Sequence, residues 1–302
     1  MPLQILDGET PTPPPWGSIL LEIYVLSEWE TPHPSHPTES PSDRRRRLVR
    51  QFLALGYEGR EPYRALADSP PTPTEAQIAE ILLPLRPEAL RPYAAYTGSL
   101  GESLWLRLCY DLDKEEVHES LRSANEDYDF VGPDGVILDD KTIFSGLDLA
   151  AAVELFPERI TNEGVNVQRR EKILREMLSD IKEDTGSGEE DYSDEVKEML
   201  ARLRAPVISN PLLRYSRYHA ACVVTHVFVE DEKALDGAGL LHVFLDDCGN
   251  VVRQWRVEEG GVDDCFDGCW AGGNWEEFFI SGMGEVGSAY REGGMRGPPY
   301  DL

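Results

Sequence analysis

Residues 240–257 are Leu-Leu-His-Val-Phe-Leu-Asp-Asp-Cys-Gly-Asn-Val-Val-Arg-Gln-Trp-Arg-Val. Two runs rich in β-branched and aromatic residues, 240–245 and 251–257, flank the five residues Asp246 to Asn250. This order predicts a β-hairpin, because Asp, Asn and Gly supply the backbone conformations that a tight turn needs. The C-terminal third of the chain is therefore expected to contribute strands to a sheet.

Three other segments carry strand patterns. Ala221 to Val229 is β-branched, and Ile19 to Leu26 is a short apolar run that we interpret as a buried strand. From Leu104 to Leu112 apolar residues alternate with other residues, which favours a strand, with a short helix as the alternative. These segments lie on both sides of the middle of the chain.

Helical patterns fill much of the remaining sequence. The firmest covers Val167 to Ile181, where one apolar stripe recurs at helical spacing. Another helix is predicted from Asp43 to Leu55, with Ser42 as its N-cap and Gly56 after its end. Its first turn contains Arg44 to Arg47, where the helix dipole favours negative charge, so the basic run needs a compensating partner.

Together these patterns predict an α+β fold. A mixed β-sheet is built from an N-terminal strand and the C-terminal strands and hairpin, and the acidic middle of the chain is mainly helical. The expected organisation is a flexible lead-in over 1–17, an N-terminal α/β part over 18–110, an acidic helical region over 111–205 with a disordered link at 184–193, a hairpin-containing part over 206–281 and a flexible Gly/Pro-rich tail over 282–302.

The net charge is strongly negative. The 302 residues include 56 acidic and 29 basic side chains, a formal charge of −27, and residues 111–200 hold 26 of the acidic and 10 of the basic ones. Such an excess repels phosphate backbones and anionic membrane surfaces, so neither nucleic acid nor a membrane is the expected partner. A basic protein is.

The cysteines and the start of the chain bear on the compartment. Five cysteines are an odd number in a long chain, which disfavours a secreted disulfide scaffold. The first residues have no basic region followed by a sustained apolar run, so we expect no signal peptide. A cytoplasmic or nuclear protein is the expectation.

The composition favours binding over catalysis. We expect an adaptor, inhibitor or escort that engages a basic partner through charge complementarity, which increases association rate and specificity. The acidic stretch from Asp111 to Glu198 is the predicted contact surface, and its densest part contains Glu189, Glu190, Asp191, Asp194 and Glu195.

The alternative is a metal- or thiol-dependent enzyme centred on the C-terminal cysteines and histidines. Cys265 and Cys269 have three residues between them, a spacing that structural zinc permits, and Cys248 with His242 could complete four ligands. His226 could meet His242 across adjacent strands, although packed core histidines are the commoner outcome. No cofactor other than zinc is indicated.

A glycine-rich motif and a concentration of aromatic residues also lie in the C-terminal third of the chain. Gly282-Met-Gly-Glu-Val-Gly287 matches the dinucleotide-binding pattern G-x-G-x-x-G, but the following residues lack a helix, a returning strand and the ribose-binding acidic residue, so we reject a cofactor loop. Aromatic residues are concentrated between Trp255 and Phe279. They are expected either to complete a small core or to anchor a structural subunit in an assembly.

Overall fold

A computed structural model describes the fold over residues 3–5, 12–31, 38–94, 104–126, 136–161, 164–165, 167–183, 193, 198–199, 210–257, 275–291 and 296. Its strands are β1 (Leu3–Ile5), β2 (Leu104–Arg107), β3 (Val136–Leu138), β4 (Thr225–Glu230), β5 (Leu240–Leu245), β6 (Val251–Val257) and β7 (Glu285–Val286).

The α-helices are α1 (Leu20–Glu28), α2 (Pro41–Ala54), α3 (Gly56–Gly59), α4 (Glu61–Arg64), α5 (Glu75–Gln77), α6 (Glu115–Glu126), α7 (Lys141–Phe144), α8 (Leu149–Leu155), α9 (Val167–Glu183), α10 (Pro211–Arg214), α11 (Ser216–Ala220) and α12 (Trp275–Ile280). Short 3-10 turns occupy Glu88–Tyr93, Leu112–Lys114, Pro157–Ile160 and Ser288–Tyr290, and π-helical turns occupy Ile78–Leu82 and Ala234–Ala238.

All seven strands form one mixed sheet in the order β1-β3-β2-β4-β5-β6-β7. The three central strands, β3, β2 and β4, run parallel, and each remaining strand pairs antiparallel with its neighbour. The predicted α+β class with a mixed sheet and a helical middle is confirmed. The predicted hairpin is β5 and β6, with the bounds that the sequence indicated.

Helices cover both faces of the sheet. Alternate residues of the strands, including Trp105, Phe228 and Phe244, pack against α6, α9, α11 and α12. The intervening residues, among them Leu106 and Val229, pack against α7, α8 and the turn at Pro157–Ile160. Because both faces are covered, the central strands are apolar along their length, as parallel strands in such sheets are.

The run Ile19–Leu26 is helix α1, so its interpretation as the N-terminal strand is wrong. It packs against α2 in a third, all-helical cluster. A short apolar run has no period that separates a buried strand from a helix buried on most sides. The N-terminal strand of the sheet is instead β1, which lies within the predicted lead-in and pairs with β3.

Helix α2 begins two residues earlier than predicted. Ser40, not Ser42, is the N-cap, and its hydroxyl oxygen accepts a hydrogen bond from the Asp43 amide at 3.2 Å. The basic first turn has an internal partner, because Arg44 and Arg47 both donate to the carboxylate of Glu39, at 3.0 and 2.6 Å. These bonds compensate the repulsion between the arginines and the helix dipole.

The first part of the predicted tail lies on the sheet. Glu285 and Val286 form β7 and pair with Gln254 and Arg253 of β6. The buried ring of Tyr290 then joins the core, and its hydroxyl donates to Asp246 Oδ2 at 2.7 Å. An aromatic side chain with one polar group gives this glycine-rich segment an anchor that composition alone did not indicate.

Candidate functional site at the carboxyl ends of the parallel strands

The carboxyl ends of the three parallel strands bring charged side chains to one edge of the sheet. Arg107 ends β2, Glu230 ends β4, and Asp139 follows β3. Arg107 and Glu230 are register partners on adjacent strands. From β2 the chain continues to β3 on one side, whereas from β4 it continues to β5 on the other, so the strand order reverses between them. Open sheets with parallel strands bind ligands at such a reversal.

Glu230 is the centre of this site, and its side chain is fully buried. The indole Nε1 of Trp105 donates to its Oε2 at 3.0 Å. The Nδ1 of His118, from helix α6, lies 2.9 and 3.0 Å from its two oxygens. Because a carboxylate only accepts hydrogen bonds, we assign the imidazole proton to Nδ1. The other ring nitrogen, Nε2, lies at the edge of the cluster, 3.6 Å from Asp139 Oδ2.

Arg107 connects Glu230 to the surface. Its Nη2 donates to Glu115 Oε2 at 2.6 Å, and its Nη1 lies 3.5 Å from Asp139 Oδ2. The hydrogen bond from Arg107 lowers the pKa of Glu115, in opposition to burial. Burial, followed by the nearby charge of Asp139, raises the pKa of Tyr110, whose ring stacks on the Arg107 guanidinium. Arg107 is thus held by carboxylates on both sides.

A row of exposed residues lies next to this cluster, on the turn that leads into α6 and on its first turns. We call Asp111, Leu112, Asp113, Glu116 and Val117 the acidic edge. Leu112 is 78% exposed and Val117 is 37% exposed. The neighbouring cation, Lys114, is engaged by Asp236 at 2.6 Å. The edge combines open carboxylates with an apolar side chain that the described part of the fold leaves uncovered.

The predicted metal ligands Cys248 and His242 lie apart. His242 is in the middle of β5 and pairs with Trp255 and Phe228, whereas Cys248 lies in the turn after Leu245. The three residues of strand between His242 and that turn span about 10 Å. Zinc ligands must lie within about 4 Å of one another around the ion. Cys265 and Cys269, as well as Glu189, Glu190, Asp191, Asp194 and Glu195, fall outside the described residues.

Cys248 belongs to a buried polar group at the opposite edge of the sheet. Asp246 accepts hydrogen bonds from the Cys248 and Asn250 amides at 2.9 and 2.8 Å, and Asp247 accepts from the Tyr57 amide at 2.7 Å. Burial, reinforced by both aspartates, raises the pKa of Cys248 to about 11. The thiol is therefore protonated at neutral pH, and a protonated thiol is a poor nucleophile.

His226 and His242 do meet, as the hypothesis of adjacent strands anticipated. Nδ1 of His226 lies 2.9 Å from Nε2 of His242. Both rings are completely buried, and His242 stacks on Phe228 at a centroid distance of 4.1 Å. Burial lowers the pKa of His242 to about 3 and that of His226 well below its usual value. Neutral rings in an aromatic core fit a packing role.

The glycines of the G-x-G-x-x-G match have backbone roles. Gly282 and Gly284 adopt positive φ angles of 79° and 87° in the turn before β7. Gly287 follows β7, where a Cβ atom would lie 1.8 Å from the Val251 carbonyl oxygen. The pattern thus lets this segment approach β6 closely, which agrees with the rejection of a cofactor loop.

Among the described residues, two groups bring three potential metal ligands within 4.8 Å of one another. One is Asp246, Asp247 and Cys248, whose carboxylates are occupied by the hydrogen bonds above. The other is Glu115, His118 and Glu119 on helix α6. Sequence reasoning did not single out His118. The sequence did contain one signal of this site, because a charged residue ends each of two apolar strands: Arg107 in one and Glu230 in the other.

None of the described helices combines the length and the apolar composition that crossing a bilayer requires. Comparison of the chain with protein-family models, with curated proteins and with solved structures gave no match.

Proposed function

We propose that this protein binds a basic segment of a partner protein through the acidic edge and acts by binding, not by catalysis. The observation that carries the proposal is Leu112, 78% exposed between Asp111 and Asp113. A large apolar side chain bordered by carboxylates matches a segment in which lysine or arginine residues flank an apolar residue. Burial of Leu112 would supply affinity, and the carboxylates would supply register and specificity.

The charges around the edge support a cationic partner. The closest cations are already engaged, since Lys114 bonds Asp236, and Arg107 is buried against Glu115 and Asp139. The acidic edge therefore has carboxylates available for an incoming cation. It also lies in the most acidic third of the chain. The proposal also includes the other acidic residues predicted from this third of the sequence, Glu189, Glu190, Asp191, Asp194 and Glu195.

Helix α6 is held firmly beneath the edge. His118 bonds the buried Glu230, Arg107 bonds Glu115, and Leu121 is buried in the core on the same side of the sheet. A surface that is ordered before binding loses less conformational entropy when the partner arrives. This favours an adaptor, inhibitor or escort with a preformed docking face.

The proposal also places the protein in the cytoplasm or the nucleus. Cys109, Cys222 and Cys248 are free thiols. Reducing compartments keep such cysteines unpaired. Basic segments of nuclear and ribosome-associated proteins are abundant in these compartments, and an acidic escort would shield them.

The test is fluorescence anisotropy with a labelled peptide in which lysines flank leucines. The double variant Leu112→Ser/Asp113→Lys should weaken binding about tenfold or more, which corresponds to about 1.4 kcal/mol. Raising the salt from about 0.1 M to about 1 M should weaken it further, since the Debye length falls from about 10 Å to about 3 Å.

A matched control comes from another exposed leucine with a nearby aspartate. Leu66 is 43% exposed and Asp68 is also exposed. Leu66→Ser/Asp68→Lys changes the net charge by the same amount and also removes an exposed leucine, and it should leave binding unchanged. Equal loss in both double variants, or affinity that does not depend on salt, would show that the acidic edge is not the docking surface.

A further inference from the structure

We propose that Glu115, His118 and Glu119 bind a divalent transition-metal ion at the carboxyl-end site, with Asp139 next to the imidazole. The ion would lie on the side of α6 that faces the strand ends, next to the acidic edge but separate from it. This site differs from the cysteine cluster that the sequence suggested. The donor set is one imidazole nitrogen and carboxylate oxygens.

Helix α6 places three of the donors together. Glu115, His118 and Glu119 are three and four residues apart, a spacing that puts side chains on one helix face. One ligand atom from each lies within 4.8 Å of the others. Asp113 lies before the helix, in the turn at Leu112–Lys114, and belongs to the acidic edge.

Asp139 supplies an independent geometric observation. Its Oδ2 lies 3.6 Å from Nε2 of His118, a side chain that is only 2% exposed. That distance is too long for a hydrogen bond. Two ligands bound at about 2.1 Å to one tetrahedral ion lie about 3.4 Å apart. A dication bound by Nε2 would lie next to this carboxylate, and the opposite charges would attract each other.

Glu230 completes the arrangement behind the imidazole. Metal-binding histidines usually donate the other ring N–H to a carboxylate, which fixes the tautomer and increases the basicity of the ligating nitrogen. Glu230 accepts that bond at 2.9 Å and is itself held by Trp105 at 3.0 Å. Because this carboxylate is buried and oriented by a tryptophan, it holds the imidazole ring of His118 in one orientation.

The donor set indicates which ions fit. Imidazole binds zinc, iron and copper well, and carboxylates suit manganese and magnesium, so one nitrogen with several oxygens fits Mn²⁺ or Zn²⁺. Glu115 can take part while it stays bonded to Arg107, because a carboxylate has about four lone-pair sites. Three carboxylates outweigh the single Arg107 charge and favour a dication.

The test uses Mn²⁺, since thiolates prefer softer ions and Cys265 and Cys269 would not compete for it. Electron paramagnetic resonance of the full chain, with excess Mg²⁺ to occupy weak carboxylate sites, should show one bound Mn²⁺ per chain. Glu119→Gln should weaken binding at least tenfold. Glu285→Gln, an equal change of charge on the end strand β7, should not.

Glu115→Gln provides a second arm and should weaken Mn²⁺ binding to a similar extent, because Glu115 is also one of the three close donors. Far-ultraviolet circular dichroism before each titration checks that the variants are folded. No stoichiometric Mn²⁺, or equal weakening by Glu285→Gln and Glu119→Gln, overturns the site. The peptide assay uses different residues, so it succeeds or fails independently of the metal result.

Discussion

Glu22 of helix α1 accepts a 2.7 Å hydrogen bond on Oε1 from Nε of Arg91, although 69 residues separate them and neither side chain is more than 3% exposed. Oε2 of Glu22 also accepts from the Gly17 amide at 2.8 Å. Arg86 lies 4.0 Å away and bonds Glu158 at 2.9 Å. This buried ion network joins helix α1 to the two turns that contain Arg91 and Glu158.

Glu22→Gln should therefore be strongly destabilising. The change removes the charge that faces buried Arg91, and breaking a buried pair typically costs 3–5 kcal/mol, so we expect a loss of about 3 kcal/mol in the free energy of unfolding. Urea denaturation measures it. The control Glu61→Gln, in an exposed pair with Arg64, should cost under about 1 kcal/mol. Equal losses would contradict a buried network.

Gly287→Ala should detach β7 from β6. The new Cβ would lie 1.8 Å from the Val251 carbonyl oxygen, so the backbones must separate. We expect a loss of about 3 kcal/mol, at the upper end for overpacking, and faster hydrogen exchange at the Gly287 amide, which bonds the Val252 oxygen.

The matched control is Gly146→Ala. Gly146 has a φ of 78° but open space around it, so only the backbone penalty of about 1–2 kcal/mol applies. Unchanged exchange of β6 and β7 amides in the Gly287 variant would disprove the close approach.

Acidification should destabilise the fold through the buried histidines. Burial lowers the pKa of His219 and of His242 to about 3, and that of His226 well below its usual value. In the unfolded chain these rings titrate near about 6.5. Their contribution is therefore fully present above about pH 6.5 and is lost as the pH falls toward 3, because the unfolded state takes up the protons first.

Urea unfolding at pH 7, 6 and 5 tests this. Each neutral buried ring should add about 1.4 kcal/mol per pH unit to the slope below about pH 6.5. The double variant His226→Leu/His242→Leu should have a shallower slope, whatever its stability at pH 7. A slope identical to that of the unsubstituted protein would mean that the pair is protonated in the folded state.

The buried cysteines should resist alkylation. Burial raises the pKa of Cys222 to about 12 and that of Cys248 to about 11, and both thiols are buried, whereas Cys109 is partly exposed. Iodoacetamide at neutral pH should therefore label Cys109 much faster, as peptide mass spectrometry can show for each cysteine. In urea the three rates should converge. Rapid labelling of Cys248 in the folded protein would support thiol chemistry at that edge instead.

Features held together by residues close in sequence could be predicted, whereas features that depend on residues far apart in sequence could not. The hairpin at 240–257 and helix α9 were predicted because their patterns are local. The contact between His226 and His242 followed from the expectation that their two strands are adjacent. Helix α1 was misassigned because a short apolar run does not distinguish a buried strand from a buried helix. The charged residue within this run, Glu22, is buried by an ion pair. Its partner Arg91 is remote in sequence, and no local period reveals such a pair.

The candidate site was missed for the same reason. His118 and Glu230 are 112 residues apart, and only the parallel pairing of β2 with β4 brings them together. A single sequence shows that Arg107 and Glu230 each end an apolar run, but not that these runs are neighbours. The acidic character of the region was visible from composition, whereas its exposed apolar residue, Leu112, needed the fold.

The two outermost strands are also the shortest or nearly so: β1 has three residues and β7 has two. β1 pairs with the outer edge of β3, and β7 pairs with the outer edge of β6, which is longer and largely apolar. Unpaired backbone groups along an apolar outer strand recruit other chains and promote aggregation, and brief terminal pairings reduce that surface. The glycine-rich segment around β7 thus protects the molecule against edge-to-edge association with its own copies.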